Sequence, residues 1–528
     1  MTYGGPVPTL VRSLSRVGVA VLAGLVLWLA FPDHDLWWLA PVGVALLGAV
    51  TLTAGLRRGL GLGMVCGLAF FVPTLSWSGV YVGAVPWLAL AVLEAVYVAA
   101  MCGLVGFAGR RLSRAGHTRA AYTLLPLGWV AQEWARSRTP YGGFPWARLA
   151  FSQADSPLAP VARLGGAPGL TFAVVLVGTL LLLGAAFLVR GPRRSAALPI
   201  LLAGAALLAP LAIPLPTDGR TVSVAFVQGD VPQAGLDFNA ERRAVLDNHV
   251  RGTLELASDA PDDLSLVVWP ENASDIDPLR NADADAEIRA AQAAVGVPLV
   301  VGAVLAEPPG ANSNVSLLYT GAGPPERYTK LHPVPFAEYI PNREFFAMFS
   351  PAANLAGNFV AGEDVGVFDI PSDDGTYAAL PTICFEVAYD QLLRDSVGAA
   401  GDTDSLLLVQ TNNATFGFTA ESEQQFAISR IRAIEHGRSI VHVSTVGVSG
   451  FVAPDGSVSG RTGLFVPAQE VGRPVLRSEA TPSDRAGAVP EVLATALFAA
   501  LVVAAAVSRR VRVAPPTPTE DSEDRRVA

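Results

Sequence analysis

Lysine is almost absent from this 528-residue chain, since Lys330 is the only one among 37 positively charged side chains. Histidine and cysteine are also scarce, with six and three copies. The histidines are scattered without metal-ligand spacing, so we expect no metal and no other cofactor. Three cysteines cannot form a disulfide framework. Cys66 and Cys102 lie in apolar runs, where cysteine packs as a small core residue, which leaves Cys384 to be explained.

Charge is low throughout. Charged residues make up 16% of the sequence against 51% hydrophobic residues, and the mean hydropathy is +0.41. This composition is too apolar for a wholly soluble chain of this length, which allows two or more domains. The net charge of −9 excludes the basic surface that nucleic-acid binding requires, so we expect no nucleic-acid partner.

Eight apolar runs approach the roughly 20 residues needed to cross a bilayer as a helix. Seven precede residue 215 and one follows a long polar region; they cover 17–31, 36–54, 60–74, 86–107, 120–134, 169–189, 196–213 and 488–507. The first run follows Arg12 and Arg16 but lacks a small-residue cleavage site. It is therefore expected to be a retained anchor rather than a signal peptide.

Arginine clusters fall on alternate connections between these runs, which by the positive-inside rule places both termini in the cytoplasm. The expected divisions are a transmembrane domain at 1–215, an extracytoplasmic domain at 216–486, a last span at 487–508 and a disordered cytoplasmic tail at 509–528.

One connection departs from this pattern. The segment 135–168 should lie outside, yet it carries four arginines: Arg136, Arg138, Arg148 and Arg163. Either these side chains have a function, or one span is wrongly assigned.

The extracytoplasmic region alternates β-rich runs with helical patterns, which is typical of a layered α/β fold. The β-rich runs are 222–231, 264–271, 298–306, 378–386, 405–413 and 439–452, and the helical patterns include 240–257, 284–295 and 421–436. We expect catalytic residues at the ends of the strands.

Four reactive side chains follow or end these strand-like runs: Glu271, Lys330, Glu338 and Cys384. Taken singly, each has an ordinary explanation, as a solvated strand end, an incidental cation or a core thiol. An unpaired thiol is nevertheless unusual on the exported side of a membrane. Together, a base, an ammonium and a thiol are the set needed for acyl transfer through a covalent intermediate.

The Glu–Lys–Cys order, within WPE, YTK and ICFE, resembles the carbon–nitrogen hydrolase (nitrilase) superfamily. With seven spans before this domain and one after it, the chain resembles the membrane-embedded apolipoprotein N-acyltransferase family. The stretches EWARS, GGFPWARLAFSQAD, TNNATFGF and SRIRAIEHGRSIVHVSTVGVSG support the same resemblance. It implies a nitrilase-like αββα sandwich on an eight-helix transmembrane base. The location that it implies is a bacterial plasma (inner) membrane.

The resemblance also implies a reaction and its residues. A fatty acyl chain would pass from a membrane phospholipid, through a thioester on Cys384, to the α-amino group of S-diacylglyceryl-cysteine at the N-terminus of apolipoproteins. Glu271 would be the general base, and Lys330 would stabilise the oxyanion and help to hold the thiolate. Glu338 would support Lys330 and the substrate amine, and Glu386 would lie nearby. The enzyme is expected to act as a monomer.

Other implied residues shape the site. Phe144 and Trp146 resemble the lining of a lipid entrance, Asn412 and Asn413 would shape the loop beside the nucleophile, and Tyr339 would support substrate binding. The residue after the nucleophile, Phe385, also belongs to this supporting set and stands where the family often has tyrosine. Pro333, Ala337 and Thr415 also depart from the family pattern, without removing a catalytic group.

Two alternative functions are compatible with parts of this sequence. A membrane-anchored amidase could use the same triad to hydrolyse small amides, but eight spans and the FPW–SQ loop exceed what an anchor needs. A non-catalytic scaffold or transporter is the second alternative. The intact Glu271, Lys330 and Cys384 argue against it, as does the scarcity of ionisable residues within the spans.

Overall fold

The computed structural model describes residues 9–232, 235, 243–348 and 357–507 of the chain. A helical region comes first, an α/β region follows, and one apolar helix ends the described chain. The first eight helices are α1 (Thr9–Trp28), α2 (Leu39–Thr51), α3 (Leu56–Thr74), α4 (Ala84–Arg114), α5 (Thr118–Tyr122), α6 (Leu124–Arg136), α7 (Val161–Arg190) and α8 (Ala197–Leu208). The predicted tail at 509–528 lies outside the described residues.

Among the described residues, five helical segments are long and apolar enough to cross a membrane: Leu56–Thr74, Ala84–Arg114, Val161–Val189, Arg193–Ala212 and Val489–Val507. Two apolar helices, Ser15–Trp28 and Leu39–Thr51, are shorter. The predicted run 120–134 is divided between α5 and α6, and the 13 residues of α6 rise only about 20 Å. The count of eight spans stays a prediction.

Small residues explain the close approach of α3 to α4. Gly59, Gly63 and Gly67 recur every four residues on one face of α3, and a Cβ on any of them would lie within 2.8 Å of atoms of α4. Such spacing lets membrane helices pack backbone to backbone. Cys66 and Cys102 are buried free thiols in this helical region, which confirms their prediction as core residues.

The α/β region contains fourteen strands within the described residues: β1 (Arg220–Thr221), β2 (Ser223–Gln228), β3 (Leu264–Val268), β4 (Leu299–Leu305), β5 (Ser313–Tyr319), β6 (Glu326–Thr329), β7 (Phe368–Ile370), β8 (Tyr377–Ile383), β9 (Ser405–Thr411), β10 (Ile440–Ser444), β11 (Gly450–Val452), β12 (Val458–Ser459), β13 (Ala468–Gly472) and β14 (Val475–Leu476). The helices are α9 (Ala244–Ala257), α10 (Ala282–Val295), α11 (Arg343–Ala347), α12 (Asp390–Ala400), α13 (Glu421–His436), α14 (Pro482–Ala486) and α15 (Val489–Val507).

Each predicted β-rich run contains a strand. The run 439–452 forms two antiparallel strands, β10 and β11, rather than one. The three predicted helical patterns also correspond to helices, α9, α10 and α13, although residues 240–242 of the first lie outside the described residues.

Two six-stranded sheets organise this region, in the orders β13-β2-β3-β4-β5-β6 and β12-β11-β10-β9-β8-β7. The strands β2, β3 and β4 are parallel, as are β8, β9 and β10. An apolar cluster joins the two sheets, with Phe226 and Val268 from the first and Leu406 and Val441 from the second. A second cluster covers the other face of the first sheet, where α9 and α10 pack. Parallel strands end at the same edge, which gathers the residues that follow them.

The unexpected arginines of the 135–168 segment are mostly paired with carboxylates inside the protein. Arg136 lies 3.0 Å from Glu94, and Arg138 contacts Glu491 at the start of α15. The Arg148 guanidinium donates to both oxygens of Asp390 at 2.7 Å, across the boundary between the helical and α/β regions. Paired charges of this kind hold elements together and carry little information about membrane orientation.

Candidate active site

Cys384 lies on a sharp turn directly after β8. Its φ of +56° is unusual for a residue with a side chain, and a short 3₁₀ turn over Cys384–Ala388 follows. Backbone strain of this kind costs about 1–3 kcal/mol and persists only where the surroundings enforce it. The turn presents the half-buried Cys384 thiol at the carboxyl end of a parallel strand.

The carboxylate of Glu386 enforces this turn. Its Oε2 accepts the backbone N–H of Ile383 at 2.7 Å and the Tyr328 hydroxyl at 2.8 Å. Its Oε1 accepts the N–H groups of Leu331 and His332 at 2.7 and 3.1 Å. Glu386 is fully buried, and four donors occupy its oxygens. It therefore joins the nucleophile turn to the lysine segment and is not available to bind substrate.

Lys330 is fully buried and lies between two carboxylates. Its Nζ donates to Oε1 of Glu271 at 3.2 Å and to Oε1 of Glu338 at 2.9 Å. Asn314 on β5 donates to the same two oxygens, at 2.6 and 3.0 Å. The other Glu338 oxygen accepts the N–H of Val334 at 2.7 Å. The ammonium is thus held by two carboxylates, whose positions Asn314 helps to fix.

Backbone packing brings Glu271 to this position. Gly302 on β4 lies against the Pro270–Glu271 peptide, and a Cβ there would approach the Glu271 Cα to 2.7 Å. Thr445, after β10 in the other sheet, donates to the Glu271 carbonyl at 2.9 Å. Both sheets therefore contribute to the placement of this carboxylate.

Burial and charge set the protonation states. Burial opposes the charged form of Lys330, but Glu271 and Glu338 outweigh it and raise the pKa of the ammonium well above its usual value. Burial raises the pKa of Glu271, against the opposing effect of Lys330. Burial, followed by the charge of Glu271, raises the pKa of Cys384, which Lys330 lowers only in part. The raised pKa favours the neutral thiol form of Cys384, so a nucleophilic role for this residue would require a base to remove its proton.

A second group of polar side chains, on and beside α13, contacts the thiol and its neighbours. The Gln425 amide on α13 donates to the Cys384 sulfur, with Nε2 at 3.7 Å from Sγ. Asn413 donates to Gln425 at 2.9 Å and to Glu421 at 2.6 Å. Asn412 does not reach these groups, and its Oδ1 accepts the N–H of Ala414 at 3.0 Å.

An aromatic wall adjoins the nucleophile. Phe385 stacks on Phe144 and Trp146, with ring centroids 5.2 and 5.7 Å apart. Trp146 and Trp77 both donate to Oε1 of Gln424 on α13, at 2.7 and 3.2 Å. The structure therefore places the FPW segment against Phe385, the residue after Cys384.

Tyr339 is further from the charged group. It lines a cavity of about 300 Å³ that is also bounded by Tyr141, His332, Phe359 and Tyr389. This cavity opens beside the lysine segment, and its walls are mainly aromatic. Among the described residues, no group of three or more His, Cys, Asp or Glu side chains is arranged to hold a metal ion.

The structure gathers the predicted Glu271, Lys330, Glu338, Glu386 and Cys384 at one edge of the two sheets. Sequence reasoning missed Asn314, Gln425 and Tyr328, which contact this group directly. The segment that forms β5 is not among the predicted β-rich runs, so the sequence does not mark Asn314 as a polar residue inside a sheet that requires partners. Nothing in the local pattern of α13 distinguishes Gln425 from its neighbour Gln424.

Comparison with known proteins identifies the family. Residues 23–180 match the family described as apolipoprotein N-acyltransferase N-terminal domain. The apolipoprotein N-acyltransferase of Mycolicibacterium smegmatis is 41% identical over 523 residues, covering 92% of this chain and 85% of that protein. The enzyme of the same name from Ralstonia nicotianae is 30% identical, covering 94% and 93%.

Among solved structures, a mutant of the Nesterenkonia sp. AN1 amidase from the nitrilase superfamily is 18% identical. It covers 52% of this chain and 97% of its own, with a TM-score of 0.37. The full-length sequence relatives carry the assignment: this chain belongs to the apolipoprotein N-acyltransferase family.

Proposed function

We propose that this enzyme transfers a fatty acyl chain from a membrane phospholipid to the N-terminal amine of a diacylglyceryl-apolipoprotein, with Cys384 as nucleophile, Glu271 as general base and Lys330 as oxyanion stabiliser. One observation carries the proposal. The Lys330 ammonium is held at 3.2 Å from Glu271 and 2.9 Å from Glu338, in the buried group whose charges act on the Cys384 thiol.

The first half-reaction forms a thioester. Glu271 takes the proton of the Cys384 thiol, and the sulfur attacks the carbonyl carbon of a phospholipid ester. The negative charge on the carbonyl oxygen is stabilised by the Lys330 ammonium. When the ester C–O bond breaks, Glu271 returns the proton to the leaving glycerol oxygen, which gives a lysophospholipid and an acylated Cys384.

The second half-reaction forms an amide. The neutral α-amine of the diacylglyceryl-cysteine attacks the thioester carbon, and the C–S bond breaks. The proton lost by the amine passes through Glu271 to the Cys384 sulfur, which restores the thiol. Glu338 shares its Oε1 between Lys330 and Asn314, so its role is to orient the ammonium and to meet the incoming amine.

The aromatic wall supports a lipid donor. Phe144, Trp146 and Phe385 form a continuous apolar surface that joins the membrane region to the nucleophile turn. An acyl chain along this wall would remain out of water, which protects the thioester from hydrolysis. The Tyr339 cavity lies beside the lysine segment and would receive the polar part of a substrate.

We also propose the finer architecture: a nitrilase-like αββα sandwich at 216–486 on an eight-helix base, formed by 1–215 and the helix at 487–508, in a monomeric enzyme. The two sheets and the helices packed on them support the sandwich. In the base, α6 is a short inner helix. The catalytic domain lies on the extracytoplasmic face and both termini in the cytoplasm.

Labelling of single cysteines with a membrane-impermeant maleimide tests this orientation. On intact cells, Arg473→Cys in the α/β region should react, whereas Arg119→Cys in the connection before α6 should react only after permeabilisation. Labelling in the reverse order would overturn the proposed topology.

The mechanism is tested by intact mass. The purified full chain is incubated with phospholipid alone, and wild type is compared with Cys384→Ala. We expect a fatty-acyl mass gain on the wild type only. An equal gain on the variant, or no gain on the wild type, contradicts a thioester at Cys384. A diacylglyceryl-cysteine peptide added next should receive the acyl group as an amide; release of free fatty acid instead would favour an amidase.

A further inference from the structure

Gln425 occupies a position that the Glu271–Lys330–Cys384 set does not explain. It is a fully buried carboxamide on α13, with Nε2 at 3.7 Å from the Cys384 sulfur. That distance is within hydrogen-bonding range for a sulfur acceptor. Gln425 therefore contacts the reacting atom from the helix side, whereas Glu271 and Lys330 belong to the other sheet.

The direction of this hydrogen bond follows from a series of hydrogen bonds that begins at the backbone N–H of Gly447. The N–H of Gly447 donates to the Ser444 hydroxyl at 2.7 Å, so the Ser444 hydrogen is directed to Oδ1 of Asn413, at 2.5 Å. Asn413 must then present its NH₂ to Oε1 of Gln425, at 2.9 Å. Ser444 is fully buried, and donation to Asn413 gives its single hydrogen an acceptor, which favours this order of donors and acceptors.

Two further contacts hold the Gln425 carbonyl oxygen in place. The Thr411 hydroxyl donates to the same Oε1 at 2.8 Å, and Glu421 holds the second N–H of Asn413 at 2.6 Å. A reversed Gln425 amide would set its NH₂ against the NH₂ of Asn413. The Nε2 of Gln425 is therefore the group that faces the sulfur.

We propose that Gln425 is a further catalytic residue, whose amide N–H stabilises the negative charge that the Cys384 sulfur carries twice in each cycle. The inference rests on the proposed role of Cys384 as nucleophile. The sulfur is a thiolate first when Glu271 has taken its proton, and again when it leaves the tetrahedral intermediate formed by the amine.

A neutral donor is suited to this role. The sulfur of a thioester is a weaker acceptor than a thiolate, so the hydrogen bond favours expulsion of the sulfur in the second half-reaction. Lys330 cannot serve this purpose alone, because it is also required by the carbonyl oxygen and by its two carboxylates. Gln425 adds no charge to a buried site in which Lys330 is already paired with Glu271 and Glu338.

The test compares Gln425→Met, which keeps the length of the side chain and removes the donor, with Gln292→Met. In this control, Gln292 on the outer helix α10 loses the hydrogen bond of 3.1 Å that its amide N–H donates to the Val297 carbonyl. The pH dependence of iodoacetamide alkylation at Cys384, followed by peptide mass, gives the thiol pKa in the full chain without lipid. The charged groups that act on this thiol are Glu271, Lys330 and Glu421.

We expect Gln425→Met to raise the Cys384 pKa by about one to two units and to slow discharge of the acyl-enzyme by an amine peptide about 10- to 100-fold. Gln292→Met should change neither. An unchanged pKa and discharge rate in Gln425→Met overturn the proposal, as does an equal change in Gln292→Met.

If Gln425→Met fails to fold, Ser444→Ala is measured in its place. This variant removes the hydroxyl at the start of the series of hydrogen bonds that orients Gln425. It should raise the Cys384 pKa and slow acyl-enzyme discharge, both by less than Gln425→Met. No shift in that variant overturns the proposal. If Cys384 is not the nucleophile, the wild type forms no acyl adduct with phospholipid. Alkylation of Cys384 does not depend on that role, so it still measures the effect of Gln425 on the thiol pKa.

Discussion

The Tyr328 hydroxyl donates a hydrogen bond of 2.8 Å to Oε2 of Glu386, which joins the end of β6 to the turn that carries Cys384. The same carboxylate accepts the backbone N–H groups of Leu331 and Ile383. Lys330 lies between Tyr328 and Leu331 in the chain. Glu386 thus fixes the Lys330 segment relative to the Cys384 turn, although it forms no hydrogen bond with the ammonium or the thiol themselves.

Replacing Glu386 by glutamine should loosen both segments at once. The amide keeps one acceptor oxygen and turns an NH₂ toward donors, so at least two of four hydrogen bonds are lost. We expect the free energy of unfolding to fall by about 1–3 kcal/mol, together with a strong loss of acylation. Thermal unfolding and acyl-enzyme formation measure the two effects.

Tyr328→Phe is the matched control, because it removes a single donor and leaves the backbone contacts of Glu386 intact. Its loss should be smaller, about 1 kcal/mol, with acylation largely retained. Equal effects in the two variants would contradict the view that Glu386 acts through several donors.

Lys330→Arg should abolish acylation and leave the fold intact. The compact ammonium fits between Glu271 and Glu338, whereas the wide guanidinium would pair with both carboxylates and fill the space that the thiolate and the oxyanion require. Acyl-enzyme formation, followed by intact mass, should fall below detection while the unfolding temperature changes little. The reverse exchange at an exposed ion pair, Arg473→Lys beside Asp263, should leave both unchanged. An active Lys330→Arg enzyme would refute the role given to the lysine.

Glu421 should make the protein less stable as the pH rises. Burial raises its pKa to about 8 from the ordinary 4.5, so the folded state binds its proton more tightly than the unfolded state. The resulting stabilisation is complete below the unfolded pKa and is lost as the pH rises through the folded pKa, between about 4.5 and 8. Glu421→Gln keeps the acceptor for Asn413 and removes the titration.

Unfolding measured at pH 5 and pH 8 should therefore show a smaller loss of stability in Glu421→Gln than in the wild type. Glu287→Gln, at a half-exposed carboxylate on α10, provides the comparison and should keep the wild-type dependence. The idea fails if the Glu421→Gln protein loses as much stability over this interval as the wild type.

The residues at strand ends could be predicted because their signals are local. Glu271 and Cys384 directly follow strongly apolar β-rich runs, and such runs place the next residue at a sheet edge. Lys330 was conspicuous as the only lysine. Gln425 and Asn314 could not be found in this way, because their roles depend on which strand and helix pack beside the thiol, and that is decided by contacts across the two sheets.

The span at 120–134 shows a second limit of sequence patterns. Its apolar residues predict a membrane span, which stays a prediction. They do not show that α6 is short or that Glu133 and Arg136 are buried inside the protein. Trp129 and Thr171 donate to Glu133 at 3.0 and 2.8 Å, and such pairing can be seen only once the neighbouring helices are placed. Apolar composition reports an apolar environment, which the interior of a helix bundle provides as well as lipid does.

Asp390→Asn should destabilise the junction between the helical and α/β regions. Asp390 is buried and pairs at 2.7 Å with Arg148 and with Arg432 on α13. Burial raises the pKa of Asp390, but the two arginines lower it by more, so the pKa lies well below its usual value. The amide would remove the counter-charge that the two buried guanidinium groups share, which leaves Arg148 only its 3.5 Å contact with Glu133. Arg432 would keep its pair with Glu435, so we expect a loss of about 3 kcal/mol, at the low end for a broken buried pair. Arg432 also donates to the carbonyls of Val387 and Ala388 in the nucleophile turn, so acylation should fall with stability.

The chain offers a control at the same junction, since Asp155 joins Arg430 at 2.7 Å but is 57% exposed. Exposed pairs contribute about 0–1 kcal/mol, so Asp155→Asn should leave the unfolding temperature and the acylation rate close to wild type. Equal losses of stability and acylation in Asp390→Asn and Asp155→Asn would mean that the exposed ion pair holds the two regions together as well as the buried one does. A stable, active Asp390→Asn protein would mean that the buried pair with Arg148 does not hold the α/β region on the helical region.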